Sequence, residues 1–165
     1  TYNVPVEMAE TRYGIRVDEH SLHTDGAGAG EFRGGSGAVR VYRSMNENQT
    51  FTAAFGRNKW PVWGAAGGKD GSVNYFQFID ADGTVSEPMG IAARRVMNTN
   101  DVVRMVTATG GGYGNPFKRP AEKVAMDVKN EYITVEQAKA DYGVLVDPET
   151  FKVLGLTEER QKAEK

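Results

Sequence analysis

The stretch Thr109-Gly-Gly-Gly-Tyr-Gly-Asn-Pro116 separates a region with strand periodicity from a region with helix periodicity. Before it, apolar residues alternate with polar or glycine residues, as at Tyr13, Ile15 and Val17, and this alternation is typical of half-buried strands. After it, apolar residues recur every three or four positions, as they do in amphipathic helices. Strands followed by helices predict an α+β fold.

Five strands are predicted in the first region, at residues 12–17, 38–43, 50–55, 74–79 and 101–108. The polar residues 44–49 are interpreted as a hairpin loop between the second and third strands. Asp82-Gly83 follows the fourth strand, and such a pair supplies the positive φ angles that a tight turn needs. The sequence therefore predicts a β-rich antiparallel region over about residues 12–108.

Two short helices and a small hairpin are predicted after Gly114. Pro120 suits the first turn of a helix, where its missing N–H group is not needed. The apolar stripe of this helix is predicted to contain Ala121, Val124, Ala125, Val128 and Tyr132. Thr134 and Gln137 have the spacing of a capping box, and Gly143 suits the left-handed end of the second helix.

The last residues complete this picture. Residues 144–146 and 151–153 flank a turn and are predicted to form the hairpin. Residues 157–165 are charged and are predicted to form a frayed helix. We therefore expect a single domain over residues 1–153, followed by a charged tail at 154–165.

The composition excludes several classes of protein. The chain has 165 residues, a hydrophobic fraction of 39%, a net charge of −2 and no cysteine. Thus it has the composition of a folded domain without disulfides or thiolate metal sites, and it lacks the basic surface typical of nucleic-acid binding. Its apolar runs are too short for a membrane span, and no secretory leader is apparent. We expect a cytoplasmic protein.

Glycine is the unusual residue: there are 20, where ordinary usage would give about 12. Glycines in Gly26-Ala-Gly28-Ala-Gly30 and at 110–114 lack the spacing and context of a dinucleotide-binding loop. They suit turns and bulges, or a backbone nest for an anion. The stretch 63–72 fails as an ATP-binding loop, because Trp63 replaces its first glycine and Asp70 replaces its Ser or Thr.

Two other chemical patterns are weak. Ser36 resembles the serine of a nucleophile elbow, but it precedes a strand instead of a helix. His20 and His23 are the only histidines, and they lie near carboxylates. However, residues three apart in a strand point to opposite faces. His20 and His23 are therefore weak candidates for a metal site, and solvated polar residues are the alternative.

The segment 57–69 contains both tryptophans of the chain among small residues and cations. Trp and Arg are enriched where partners dock, whereas large aromatic residues also cap cores. Both interpretations of Trp60 and Trp63 remain open here. Together with Lys69 and Arg33, they are the candidate residues for contact with a partner or a substrate. No catalytic residue is assigned.

Several of these motifs, in the same order, resemble signatures of the hydantoinase B/oxoprolinase family. The three main ones are Gly28-Ala-Gly30-Glu-Phe-Arg33-Gly-Gly35-Ser-Gly37, Trp63-Gly-Ala-Ala-Gly67-Gly-Lys69 and Thr109-Gly-Gly-Gly-Tyr113-Gly-Asn-Pro116. Asn3-Val-Pro5-Val-Glu7 and the stretch 134–144 extend the resemblance over about residues 1–153. Only the C-terminal portion of such a subunit is matched, so we expect a separate small subunit, a split gene product or a processed fragment.

The resemblance implies a component of an ATP-dependent hydantoinase, oxoprolinase or lactamase complex that hydrolyses a cyclic amide. It implies an A-type partner that binds ATP and Mg²⁺ and phosphorylates the carbonyl oxygen, and a second partner, the remainder of the B-type subunit. That remainder would hold any divalent metal and the catalytic residues, so this chain alone is expected to be inactive and without a cofactor.

Two alternatives to this function are retained. Related assemblies carboxylate a ketone, such as acetone or acetophenone, after the same kind of activation. A purely structural interaction subunit is the third interpretation, in which the chain holds the complex together and does not affect the chemistry.

Overall fold

A computed structural model describes residues 4–24 and 26–163 of the chain. Asn3 of the N-terminal motif, Asp25 beside the histidines and the last two residues of the tail lie outside the described residues. The chain divides into two compact units. The first comprises the described residues of 1–23, 38–60 and 74–107, and the second those of 24–37, 61–73 and 108–165.

The described residues form four helices, eight strands and a one-turn 3-10 helix at Pro116–Lys118. The helices are α1 (Val6–Tyr13), α2 (Ala121–Lys129), α3 (Val135–Tyr142) and α4 (Glu158–Ala163). The strands are β1 (Ile15–His23), β2 (Gly37–Ser44), β3 (Gln49–Ala54), β4 (Tyr75–Ile79), β5 (Ile91–Met97), β6 (Val102–Val106), β7 (Val144–Val146) and β8 (Val153–Leu156). None of these helices has the length and apolar character that crossing a membrane requires.

The first unit contains two sheets that enclose an aromatic core. Its larger sheet has the strand order β1-β2-β6-β4, and its smaller sheet pairs β3 with β5. Phe76 and Phe78 of β4 are almost fully buried, and Phe51 of β3 packs its ring edge-on against both, with centroids 5.6 and 5.4 Å away. Such edge-to-face packing of aromatic rings fixes how the two sheets meet. The predicted α+β class with an antiparallel β-rich region is confirmed.

The start of the first strand was predicted too early. Residues 12 and 13 belong to α1, and the strand begins at Ile15. Gly14 separates the two elements with a φ of 60°, the left-handed conformation that ends many helices. The alternation that begins at Tyr13 therefore crosses a helix end, which explains the error.

The predicted hairpin at residues 44–49 is also wrong. Strands β2 and β3 flank this loop but belong to different sheets, since β2 pairs with β6 and β3 pairs with β5. Strand β5 was not predicted, because most of its side chains are exposed and its sequence lacks a clear alternation. By contrast, the turn at Asp82-Gly83 is confirmed, with Gly83 at a φ of 89°.

The second unit contains the helices predicted for the end of the chain. Thr134 accepts a hydrogen bond from the Gln137 amide, and the Gln137 side chain accepts one from the Thr134 amide, which completes the predicted capping box. Gly143 ends α3 with a φ of 63°, as predicted. The hairpin of β7 and β8 is present. Its second strand begins at Val153, two residues later than predicted, after Phe151 with its positive φ.

A compact apolar cluster joins α2, α3 and β7 within this unit. It consists of Ala29, Val124, Ala125, Val128, Ile133, Ala138, Tyr142, Val144 and Val146. Arg160 of α4 is buried beside it and donates hydrogen bonds to the carbonyls of Tyr142 and Arg119, at 3.0 and 2.9 Å. Residues 158–163 of the charged end are therefore helical, as predicted, and the buried guanidinium of Arg160 anchors this helix.

Replacing Thr134 with alanine should weaken α3, because the Gln137 amide loses its acceptor. We expect the free energy of unfolding to fall by about 1 kcal/mol, measured by urea denaturation. Thr134→Ser retains the hydroxyl and is the matched control. An equal loss in both variants would contradict the capping role.

Candidate interaction surface

Three glycine-rich segments of the second unit, residues 26–37, 61–73 and 108–116, are hydrogen-bonded to one another through their backbones. We call them the glycine layer. The Gly112 amide donates to the Lys69 carbonyl at 2.9 Å. That bond joins the second and third segments, so the motifs that are distant in sequence form one structure.

The first segment is joined to both of the others. The Gly28 amide donates to the Gly110 carbonyl at 2.9 Å, and the Lys69 amide donates to the Ala29 carbonyl at 2.7 Å. Thr109 adds a side-chain bond, because its hydroxyl donates to the Gly26 carbonyl at 2.7 Å. Each segment of the layer therefore depends on the other two.

Glycine is required in this layer because the backbones approach too closely for side chains. A Cβ atom added at Gly112 would overlap the carbonyl of Ala29, and one added at Gly28 would overlap the carbonyl of Lys69. Carbonyl oxygens cannot move aside without breaking the hydrogen bonds that they accept. Glycines at such positions of the layer therefore reflect close backbone packing, whereas glycines elsewhere, such as Gly83 and Gly143, form turns or helix ends.

The hydrogen bonds of the layer also bear on whether its glycines form a backbone nest for an anion. The amides of Gly28, Gly110, Gly112 and Gly114 all donate to carbonyls within the layer. An anion-binding nest requires amides that point at the ligand. Because these four amides are already bonded, the geometry favours a structural role for their glycines.

The layer presents three exposed aromatic side chains, one from each segment. Phe32, Trp63 and Tyr113 are 62%, 70% and 58% exposed. Phe32 and Tyr113 form an antiparallel bridge, with their ring centroids 6.3 Å apart. Trp63 stands on the segment whose Ala65 forms a parallel bridge with Tyr113. We call these three side chains the aromatic patch, of which Phe32 and Tyr113 are paired. Large exposed apolar side chains on a rigid backbone are typical of interaction sites.

Lys69, predicted as a partner or substrate contact, lies at the surface of the same layer. Its Nζ is 2.5 Å from Oδ1 of Asp141 on α3, and the Lys69 side chain is 55% exposed. An ion pair this accessible contributes about 1 kcal/mol or less to stability. The ammonium group therefore stays available to another molecule at little energetic cost.

Arg33 has mainly internal contacts. Its guanidinium lies over the ring of Tyr132, 4.7 Å from the centroid, and its Nη1 donates to the Gly34 carbonyl at 3.1 Å. Its Nε is 3.7 Å from Oδ2 of Asp127. Arg33 therefore holds the turn that follows Phe32, and its side chain points into the unit.

Asp127 is the centre of a buried charged cluster. Arg119 contacts its Oδ2 through both Nε and Nη2, at 3.0 and 2.9 Å, and Nε of Arg33 lies 3.7 Å from the same oxygen. Arg119 also donates to the Glu31 carbonyl at 3.0 Å, so the cluster ties α2 to the glycine layer. Close by, burial raises the pKa of the Tyr142 phenol, and the Asp127 charge adds to that shift.

The other predicted residues lie in the first unit. Trp60 is 79% exposed. His20 and His23 lie on β1, and Nε2 of His20 accepts a hydrogen bond from Nε of Arg40 at 3.3 Å. Within residues 4–24 and 26–163, no group of three or more His, Asp or Glu side chains is arranged to hold a metal ion. The metal role of the two histidines stays a prediction.

Sequence reasoning missed two members of the aromatic patch. Phe32 and Tyr113 each stand within a glycine-rich motif, in Glu31-Phe-Arg33 and Gly112-Tyr-Gly114. The two tryptophans give a stronger signal, because they are rare and close together in sequence. An aromatic residue among glycines was the available signal, since a glycine-rich segment cannot bury a large ring by itself.

Comparison with known proteins identifies relatives over most of the chain. The model of the hydantoinase B/oxoprolinase family matches residues 1–116. An uncharacterized protein of Methanocaldococcus jannaschii is 34% identical and is aligned over 87% of this chain. A putative B-type subunit of a D-/L-hydantoinase from a Pseudomonas strain is 32% identical over 88% of it. The chain spans about a quarter of the length of these relatives, 25% in both cases.

Two solved structures share the fold. The ATP-dependent caprolactamase of Pseudomonas jessenii superimposes with a TM-score of 0.74 at 30% identity, covering 96% of this chain and 27% of that one. A nucleotide-free acetone carboxylase gives the same TM-score at 17% identity, covering 97% of this chain and 25% of that one. The second likeness is one of fold alone.

Replacing Gly112 with alanine should disrupt the glycine layer, because the new methyl group would overlap the Ala29 carbonyl. We expect a loss of about 1–3 kcal/mol or more in the free energy of unfolding, measured by urea denaturation. Gly35→Ala is the matched control, since a Cβ there meets no atom within 4 Å. Similar stability of the two variants would contradict the close-packing argument.

Replacing Asp127 with asparagine should leave two buried guanidinium groups without a counter-charge. We expect a loss of about 3–5 kcal/mol in the free energy of unfolding, measured in the same way. Asp141→Asn removes a carboxylate from the exposed Lys69 pair and should cost about 1 kcal/mol or less. Equal losses would show that the Asp127 cluster contributes no more to the free energy of unfolding than an exposed ion pair does.

Proposed function

This chain belongs to the hydantoinase B/oxoprolinase family, and we propose that it is a small subunit or a fragment of an ATP-dependent complex that hydrolyses a cyclic amide. The observation that carries the proposal is the family match over residues 1–116, supported by a caprolactamase that shares both the fold and 30% of the sequence. The activity, the substrate and the partners of the whole complex are all part of the proposal.

The proposed reaction needs activation because an amide carbonyl is stabilised by resonance. In the proposal, an A-type partner binds ATP and Mg²⁺ and transfers a phosphoryl group to the carbonyl oxygen of the ring. Water then adds to the carbonyl carbon, and the ring C–N bond breaks to leave an amine and an acyl phosphate. A second water hydrolyses the acyl phosphate, which gives the carboxylate and inorganic phosphate. The glycine layer of this chain uses its amides internally, which supports placing ATP on the partner. Any divalent metal is assigned to the remainder of the B-type subunit.

We assign this chain a docking role within the complex. Phe32, Trp63 and Tyr113 stand on a backbone that is fixed by three mutually bonded segments, so they lose little conformational freedom on binding. Lys69 supplies a charge on the same layer, and Arg33 supports the turn behind Phe32. Trp60 is proposed as a further contact on the first unit.

A ketone carboxylase is the alternative chemistry, since an acetone carboxylase has the same TM-score as the caprolactamase. The two reactions separate in one assay of the complex purified through a tag on this chain. The complex is supplied with ATP and either a cyclic amide, such as caprolactam or hydantoin, or a ketone with bicarbonate. ADP and the organic product are then measured. We expect ring opening of the amide, and carboxylation of the ketone alone would overturn the proposal.

Replacing Trp63 with alanine should weaken the association of this chain with its partners. Large aromatic residues at the centre of an interface contribute about 2 kcal/mol or more, so we expect at least about a tenfold loss of affinity. Native mass spectrometry of the complex, with titration of the partner chains, measures it. Leu154→Ala is the control, since Leu154 is also exposed and lies in the second unit outside the glycine layer.

The same variant tests the purely structural alternative. If the chain only holds the complex together, the complexes that still form with Trp63→Ala keep the normal turnover per complex. If the patch also shapes the reacting site, turnover per complex falls. Unchanged affinity together with unchanged turnover would contradict the docking role of Trp63.

A further inference from the structure

The first unit contains a cavity of about 650 Å³ beside α1. This volume lies within the range of roughly 300–1,000 Å³ that is typical of small-molecule sites. Its walls include the apolar side chains of Phe51, Met97 and Val103, together with Arg40 and Tyr42 of β2. The combination of an apolar wall and a cationic group suggests a specific class of ligand.

The register of the larger sheet places Arg40 at the edge of the aromatic core. In the pairing of β2 with β6, Arg40 lies opposite Met105 and Tyr42 lies opposite Val103. Directly opposed residues share one face of a sheet, and Val103 of that face is buried in the core. A guanidinium group therefore emerges beside the core and not on a fully solvated face.

Helix α1 leaves this space open. Ala9 is its one buried residue and lines the cavity, and Tyr13 at the end of the helix also lines the cavity but is exposed. Because the methyl group of alanine fills little volume, the gap between α1 and the sheets stays unfilled. Thr50 of β3 is exposed and also lines the cavity, so the space opens to solvent near this residue.

Arg40 has no negatively charged partner among the described residues. Its Nε donates to Nε2 of His20 and its Nη1 donates to the hydroxyl of Tyr42, both at 3.3 Å. Arg43, which also lines the cavity, differs because it is paired with Asp18 at 2.6 Å. Within the described part of the chain, none of the residues that line the cavity is acidic.

We propose that this cavity binds a small organic carboxylate with an apolar body. The carboxylate would pair with the guanidinium of Arg40 and accept a hydrogen bond from Tyr42, since the planar fork of arginine matches two carboxylate oxygens. The apolar body would pack on Phe51 and Met97. A protonated amine would be repelled by the positive charge of Arg40. An alcohol would carry no charge to neutralise that guanidinium.

The carboxylate site in this cavity is independent of the proposed function. It requires only residues of the first unit, and it involves neither ATP nor a partner chain. A failure to bind the carboxylate would leave the cyclic-amide hydrolase proposal untouched, and the failure of that proposal would leave the cavity and its charge unchanged.

The test titrates the protein with three probes of equal chain length: hexanoate, hexan-1-ol and hexylamine. Isothermal titration calorimetry or NMR line shifts report binding. We expect hexanoate to bind at least about tenfold more tightly than either of the other two. Equal affinity for hexanoate and hexan-1-ol, or no binding of hexanoate, would overturn the proposal.

Two variants locate the site. Arg40→Gln should lower the affinity for hexanoate at least about tenfold and abolish the preference over hexan-1-ol. Arg94→Gln is the matched control, because Arg94 is an exposed arginine of the same unit that does not line the cavity. Unchanged affinity in Arg40→Gln, or an equal loss in Arg94→Gln, would contradict the assignment.

Thr50→Trp provides a second, independent variant if Arg40→Gln does not fold. The exposed position tolerates a large side chain, and the indole ring would obstruct the opening. Binding of both hexanoate and hexan-1-ol should then be lost, while the circular dichroism spectrum stays that of the unmodified protein. Retained hexanoate binding in folded Thr50→Trp would overturn the proposal.

Discussion

The second unit depends on the close approach of three backbones in the glycine layer. Their amides and carbonyls bond to one another at distances that leave no space for a Cβ atom at Gly28 or Gly112. Buried backbone groups must be hydrogen-bonded, and here neighbouring chain segments satisfy one another without regular strands. These backbone contacts also hold the main chain at each of the three exposed aromatic residues. The close packing that requires glycine therefore also positions the aromatic patch.

Elements governed by short-range chemistry were predicted correctly. The capping box at Thr134 and the left-handed end at Gly143 each depend on a few neighbouring residues, and both are present. The pairing of β3 with β5 was not predicted, because it depends on which face of each strand meets the aromatic core. The alternation of a strand shows which of its residues lie on the same face, but it does not show which other strand it pairs with. Helix α1 was missed for a related reason, since it buries one residue and has no apolar stripe.

The candidate site was predicted only in part. Trp63 and Lys69 are exposed on the glycine layer, whereas Arg33 turns inward to Tyr132 and Asp127. The sequence could not distinguish these cases, because Asp127 and Tyr132, the partners of Arg33, lie almost a hundred residues further along the chain. Phe32 and Tyr113 were missed because each segment was interpreted alone. Their joint exposure follows from a bridge between two motifs that the sequence separates.

The long reach of the glycine layer also determines the order in which the second unit can form. The hydroxyl of Thr109 bonds to the carbonyl of Gly26, 83 residues earlier, so the layer closes only after the whole stretch between these two residues has been synthesised. Contacts between distant residues slow folding because loop closure costs entropy before they form. The capped helix α3 requires no such closure. During synthesis, the first glycine-rich segment therefore cannot form its hydrogen bonds to the third segment until the third has been made. Until then, the amides of the first segment are bonded to water.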